Sequence, residues 1–184
     1  MLSVWGSLGA EEMNRQIVDF IALECRDGEP FHHIHGAGRD FAQVMAALKE
    51  KGADPAGHPA VDVREYIYDM PVVMAAADLV LCRSGASTIS ELTAIAKPSI
   101  LVPSPNVVAD HQTKNARVLA NAGGAVLLPE SESSGEKLYH LVGQLLDDQG
   151  RRDSMSRALR EMGSPDAAEK IYQTLKELLE KRAK

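Results

Sequence analysis

The run from Leu79 to Leu92, Leu-Val-Leu-Cys-Arg-Ser-Gly-Ala-Ser-Thr-Ile-Ser-Glu-Leu, leaves a chain few ways to fold. Its apolar start reads as a buried strand, and Ile89, Leu92, Ile95 and Ala96 recur at helical spacing. Between them lies a turn of small residues. A strand, a tight turn and a helix in this order aim free backbone N–H groups, and the positive end of a helix dipole, at whatever sits in front. An anion, most often a phosphate, is the expected guest. Glu91 stands about one turn into the helix, where its carboxylate can accept from two adjacent sugar hydroxyls. Thr88-x-x-Glu91 equally fits a capping box, in which Glu91 only ties off the helix start. The local pattern leaves both roles open.

The same unit occurs at the start of the chain. Leu2 to Trp5 reads as a strand, Gly6-Ser7-Leu8-Gly9-Ala10 as a small turn, and Met13, Ile17, Phe20 or Ile21, and Glu24 mark a helix. A strand from Phe31 to His35, a helix from Phe41 to about Lys51 and a loop from Gly52 to Ala60 follow. Val61 to Ile67 is a strand and its exit. Asp69 and Pro71 suit the N-cap and first turn of the next helix. After the opening stretch, Ser99 to Val102 is a strand stopped by Pro103 and Pro105. Asp110 to Ala122 reads as a helix capped by Asp110, and Ala125 to Leu128 as a last strand. From Gly135 the pattern is helical: to Asp147, from about Asp153 to Met162, and in a final helix opened by Ser164-Pro165-Asp166. In that last helix Ile171, Leu175, Leu178 and Leu179 share one face.

This alternation predicts an α/β fold, a doubly wound, mostly parallel sheet of about six strands with helices on both faces. Ligands of such sheets bind at the carboxyl ends of the strands, where strand order reverses. Ser7, Ile67 and the run Ala86 to Glu91 all lie just beyond predicted strand ends, and so share one edge.

With 184 residues the chain fits one domain. A net charge of −6 without a basic block argues against nucleic acid as a partner. Cys25 and Cys82 suggest no disulfide scaffold, which suits a reducing cytoplasm. No apolar run approaches the ~20 residues that span a bilayer. Met1 to Trp5 is a strand without lead-in, as at a domain boundary.

Several chemistries lack their residues. Gly6-Ser7-Leu8-Gly9 misses the dinucleotide spacing, and Gly36-Ala37-Gly38 is followed by Phe41 where a third glycine belongs. No phosphate-binding loop with Gly-Lys-Ser/Thr is present. His33 and His35 face one side of a strand and His32 the other, so at most two converge and a metal site is not expected. His35, at the strand end, is a candidate to line the cleft. Without a Gly-x-Ser-x-Gly elbow, Ser7 and Ser84 read as hydroxyl donors to phosphate or sugar rather than nucleophiles. Gln112 and Asn115, three apart, share a helix face, and paired amides suit sugar hydroxyls.

Taken together, Gly6-Ser7-x-Gly9-Ala10, Glu65-x-Ile67-x-Asp69-Met70, Cys82-Arg83-Ser84-Gly85-Ala86-x-Thr88-x-x-Glu91 and Gln112-x-x-Asn115-Ala116 resemble the MurG family. These bacterial transferases add N-acetylglucosamine to a lipid-linked muramyl-pentapeptide precursor of peptidoglycan. The resemblance implies a Rossmann-like donor-binding domain over residues 1–184, the C-terminal half of a glycosyltransferase B fold. It implies UDP-N-acetylglucosamine as substrate, with no cofactor and no metal. Ile67 would meet the uracil through its backbone. Gly85, Ala86, Ser87, Thr88, Ile89 and Ser90 would hold the diphosphate, and Glu91 the ribose diol. Ser7 would contact the diphosphate or sugar from the opposite turn, and Gln112 and Asn115 would read the sugar hydroxyls. The catalytic base, the lipid-linked acceptor and peripheral contact with the inner face of the plasma membrane would belong to an acceptor domain outside this sequence. The sequence departs from the family at Trp5, where a glycine is usual. Two alternatives remain: another UDP-sugar enzyme of the same fold, such as a UDP-N-acetylglucosamine 2-epimerase using His35, Asp110 or His111, and a non-catalytic donor-binding subunit.

Overall fold

The central strands of the sheet bury both faces, which is why they read as apolar runs. Leu79 and Leu81 enter one core while Val80 and Cys82 enter another. The computed structural model describes residues 1–6, 10–163 and 166–182. Six strands, β1 (Leu2–Val4), β2 (His33–Gly36), β3 (Val61–Arg64), β4 (Val80–Cys82), β5 (Ser99–Leu101) and β6 (Ala125–Leu127), pair in parallel in the order β3-β2-β1-β4-β5-β6. This is the doubly wound arrangement expected from the alternation. The chain runs outward from β1 through β2 to β3, then returns to the other side of β1. Strand order therefore reverses between β1 and β4, where Val4 pairs with Cys82.

On one face α1 (Glu11–Arg26), α2 (Phe41–Glu50) and α6 (Gly135–Asp147) cover Leu79, Leu81, Ile100 and Val102. On the other, α3 (Met70–Ala76), α4 (Ala86–Ala94), α5 (His111–Asn121) and α7 (Gln149–Met162) cover Leu2, Val80, Cys82 and Leu101. The last helix, α8 (Ala167–Arg182), keeps Ile171, Tyr172, Leu175, Leu178 and Leu179 more than half exposed. Residues 164–165, read as its opening, lie outside the described residues.

Several local expectations are corrected. Helix α7 starts at Gln149 rather than near Asp153, because the Asp148 carboxylate accepts from Arg151 N–H at 2.8 Å and caps it there. Asp69 and Asp110 occupy N-cap positions, yet neither side chain caps. Asp69 instead faces Arg64 at 3.4 Å, and Asp110 sits in the left-handed region at φ 51°.

His33 and His35 do share a face, but that face is the core, with both rings at 0% exposure. Both meet Ser3 Oγ on the neighbouring strand, at 2.8 and 2.7 Å, and His33 also meets Glu24 on α1. His35 therefore does not line the cleft. Its Nδ1 belongs to a hydrogen-bonded chain inside the protein, the usual condition for burying such groups, while its Nε2 is buried without a partner among the described residues. Trp5 is also buried, at 4% exposure, and packs into the core under α1. The next residue, Gly6, turns the chain at φ +89°, a conformation open to glycine at little cost.

Candidate functional site

The carboxyl ends of β1, β2, β3 and β4 surround a cleft of about 280 Å³. Gly6, Gly36 and Gly38 form its floor, with Tyr66, Ile67 and Met70 on the β3–α3 side and Cys82, Thr88 and Glu91 on the β4–α4 side. Ile67 reaches the cleft from the connection after β3 while its side chain stays in the core, at 4% exposure. The Cys82 thiol is buried, and burial pushes its pKa up to about 12, so it stays protonated and inert at neutral pH.

Helix α4 opens on this cleft without a cap. Gly85 is its N-cap, in extended conformation, and no side chain bonds the first turn. The first helical bond runs from Ile89 N–H to Gly85 O at 3.0 Å. The N–H groups of Ala86, Ser87 and Thr88 have no acceptor among the described residues. Three free donors at a positive helix end make an anion site. Ile89 has its N–H committed to the helix, and the Ser90 hydroxyl donates back to Ala86 O at 3.0 Å. The donors facing outward are thus fewer than the run Gly85 to Ser90 suggested.

The capping box is not formed. With Gly85 as N-cap, Thr88 lies within the helix, and Glu91 is more than a turn in. The Glu91 carboxylate lines the cleft, is exposed, and has no hydrogen bond or ion pair with any described residue.

Ser84 is corrected too. It is fully buried, and its hydroxyl donates to Gln112 O at 2.8 Å, so it offers nothing to a ligand. Gln112 and Asn115 lie on the far side of this turn and do not line the cleft that holds Ile67 and Glu91. Each is anchored at one end. Gln112 Oε1 accepts from Ser104 N–H at 2.9 Å, and Asn115 Nδ2 donates to Ser84 O at 3.1 Å. Gln112 Nε2 and Asn115 Oδ1 are left as one free donor and one free acceptor. Ser7 lies outside the described residues.

Two residues of this region escaped the sequence reading. Tyr66, half exposed beside Ile67, lines the cleft and pairs its ring with that of Tyr68 at 4.9 Å. Arg83 turns away from the cleft and bonds the loops after β5 and β6. An aromatic flanking the strand exit was the available signal for Tyr66; for Arg83 there was none.

Residues 1–171 match the family model described as the glycosyltransferase family 28 C-terminal domain. The chain belongs to this family. Among its family 28 relatives, the UDP-N-acetylglucosamine–N-acetylmuramyl-(pentapeptide) pyrophosphoryl-undecaprenol N-acetylglucosamine transferase of Anaeromyxobacter sp. (strain K) is 40% identical over 184 residues. That alignment covers 99% of this chain and 46% of the relative, so the chain spans about half the length of the curated relatives it matches. The crystal structure of Acinetobacter baumannii MurG superposes with a TM-score of 0.79 at 27% identity, over 96% of this chain and 49% of that one. A UDP complex of S. aureus MnaA has a TM-score of 0.70 at 15% identity, over 98% of this chain and 45% of that one, a likeness of fold alone. The family 28 fold is the Rossmann-like doubly wound sheet read from the sequence.

Proposed function

We propose that this chain binds UDP-N-acetylglucosamine as the donor half of an inverting N-acetylglucosaminyltransferase acting on a lipid-linked muramyl-pentapeptide acceptor. One observation carries the reading: Thr88, in the uncapped first turn of α4, and the unpaired Glu91 carboxylate line the same cleft at the switch point of the sheet. The N–H groups of Ala86, Ser87 and Thr88 bind the diphosphate, and Glu91 accepts from the ribose diol. The uracil rests near Gly36 and Ile67, with Ile67 offering its backbone. Gln112 and Asn115 read the sugar.

As the acceptor hydroxyl attacks the anomeric carbon, the sugar–phosphate bond breaks and negative charge grows on UDP. Fixed N–H dipoles at a helix end stabilise that charge without reorganising. The reading assigns neither a catalytic base nor a cofactor to these residues. The base, the acceptor and any peripheral membrane contact belong to the part of the relatives that this chain does not span. No helix among the described residues is long and apolar enough to cross a membrane.

Calorimetric titration with UDP-N-acetylglucosamine tests the proposal, with Glu91→Ala as comparison. Loss of the diol contact weakens binding about tenfold, or ~1.4 kcal/mol. Unchanged binding in the variant would remove Glu91 from the site, and no binding by the folded parent would overturn the proposal. The chain alone is expected to transfer no sugar to the lipid acceptor, so measurable transfer would contradict the division of labour.

A further inference from the structure

We infer that Arg83 is a positioning residue: it holds the amides of Gln112 and Asn115 in register with the diphosphate end of α4 while touching no part of the donor. The inference rests on the donor-site reading above and adds to it how the sugar end of the site is built.

Arg83 is the first residue after β4, and its side chain is only 12% exposed. Its Nη1 donates to Val102 O at 3.0 Å and to Pro103 O at 3.1 Å, both on the exit from β5. Its Nη2 pairs with Glu130 at 2.5 Å, in the turn that follows β6. One guanidinium thus ties the exits of three adjacent strands. A planar fork with several fixed donors can do this, whereas an ammonium is a single point charge.

The next bonds carry the restraint to the sugar end. Ser104, directly after Pro103, donates its N–H to Gln112 Oε1 at 2.9 Å. Ser84, directly after Arg83, donates its hydroxyl to Gln112 O at 2.8 Å, and its carbonyl accepts from Asn115 Nδ2 at 3.1 Å. Gln112 is therefore held by its backbone from one neighbour of Arg83 and by its side chain from the loop that Arg83 clamps. The result is a free N–H donor on Gln112 and a free C=O acceptor on Asn115, a pair suited to a hydroxyl or an acetamido group.

The diphosphate end has other supports. Helix α4 is anchored by Leu92, fully buried, and β4 is held by its own pairing to β1 and β5. Loss of the clamp leaves these in place but frees residues 103–105 and, through Ser104, the Gln112 amide. Recognition of the sugar is then lost while recognition of the nucleotide persists.

The test compares UDP with UDP-N-acetylglucosamine by calorimetry on the parent chain, Arg83→Ala, Arg83→Lys and Glu130→Gln, each checked for folding by circular dichroism. The variants are expected to bind UDP within about threefold of the parent, while the ratio of the UDP-N-acetylglucosamine to the UDP dissociation constant rises about tenfold. General destabilisation cannot move that ratio. Arg83→Lys and Glu130→Gln carry the test if Arg83→Ala does not fold. A parallel loss of both ligands, or an unchanged ratio, overturns the inference. A folded parent that binds neither ligand overturns the donor-site reading, and the inference with it.

Discussion

Glu24 Oε2 lies 2.9 Å from His33 Nδ1, with both side chains fully buried. Burial pushes the Glu24 carboxyl up to about 8 and the His33 and His35 imidazoles down to about 3. At neutral pH these uncharged groups form one chain, Glu24 Oε2 to His33 Nδ1, His33 Nε2 to Ser3 Oγ at 2.8 Å, and Ser3 Oγ to His35 Nδ1 at 2.7 Å. A chain of uncharged groups costs less to bury than ionised ones, although Glu24 Oε1 and His35 Nε2 are buried without a partner among the described residues.

The consequence for stability has a definite sign. In the unfolded chain both imidazoles take up protons below their ordinary 6.5, while the fold keeps them neutral to about 3, so acid destabilises. Glu24 acts oppositely: its contribution is full below its ordinary 4.5 and is lost as pH rises to about 8. Between those limits the two histidines outweigh the one glutamate up to 6.5, and Glu24 alone acts above it. From this network, stability rises with pH to a maximum near 6.5, then falls by about 1.4 kcal/mol per unit towards pH 8. Urea unfolding across pH 5–8 reads this, and Glu24→Gln should flatten the alkaline limb. An alkaline limb that is identical in Glu24→Gln would refute the assignment.

Helix α6 crosses α1 with its first residue, Gly135, against the partner backbone. A Cβ there would stand 2.5 Å from Gln16 O and 2.9 Å from Phe20 N. Gly135→Ala is expected to destabilise by roughly 1–3 kcal/mol, since neither backbone atom can yield without moving the helix. Gly143, in the same helix, would place its Cβ against nothing within 4 Å, so Gly143→Ala should stabilise by about 0.5–1 kcal/mol. Denaturant midpoints of the two variants should move in opposite directions.

How far the sequence reveals this molecule follows from where each signal is stored. The parallel six-stranded sheet and a cleft at the carboxyl ends of its strands are legible because alternation and apolar runs are local. The capping box fails by a few residues: the helix begins at Ala86, and a box at Thr88 needs it to begin three residues later. That His33 and His35 share one side of the strand is legible from the alternation, but the burial of His35 in the core is not. Its partner Ser3 is 32 residues away in sequence and becomes a neighbour only through the pairing of β1 with β2. Ser84 misled for a similar reason, since a serine at a strand end suits a ligand and the Gln112 carbonyl equally. The side-chain bonds of Arg83 span about twenty residues or more and have no local pattern to betray them.

Ala109 and Asp110, before α5, both have positive φ, at 54° and 51°, and both are exposed. A left-handed conformation costs a residue with a Cβ about 1–2 kcal/mol, against about 0.5–1 kcal/mol for the extra freedom of glycine when unfolded. Ala109→Gly is therefore expected to raise stability by up to about 1 kcal/mol, with no burial lost. A fall in the thermal midpoint of this variant would mean that the exposed methyl group is not idle.

Gly85 has the opposite logic. Its φ is −63° and ψ 155°, an extended conformation open to any residue, and a Cβ would meet nothing within 4 Å. Neither backbone geometry nor packing demands a glycine here. What remains is the space in front of the free N–H groups of α4, which a side chain would occupy. Gly85→Ala should leave stability within about 0.5 kcal/mol of the parent. It should weaken UDP-N-acetylglucosamine binding about tenfold or more, because the N–H groups of Ala86 and Ser87 could no longer be approached closely. If the variant bound the donor as tightly as the parent, the diphosphate would have to sit elsewhere along the carboxyl edge of the sheet.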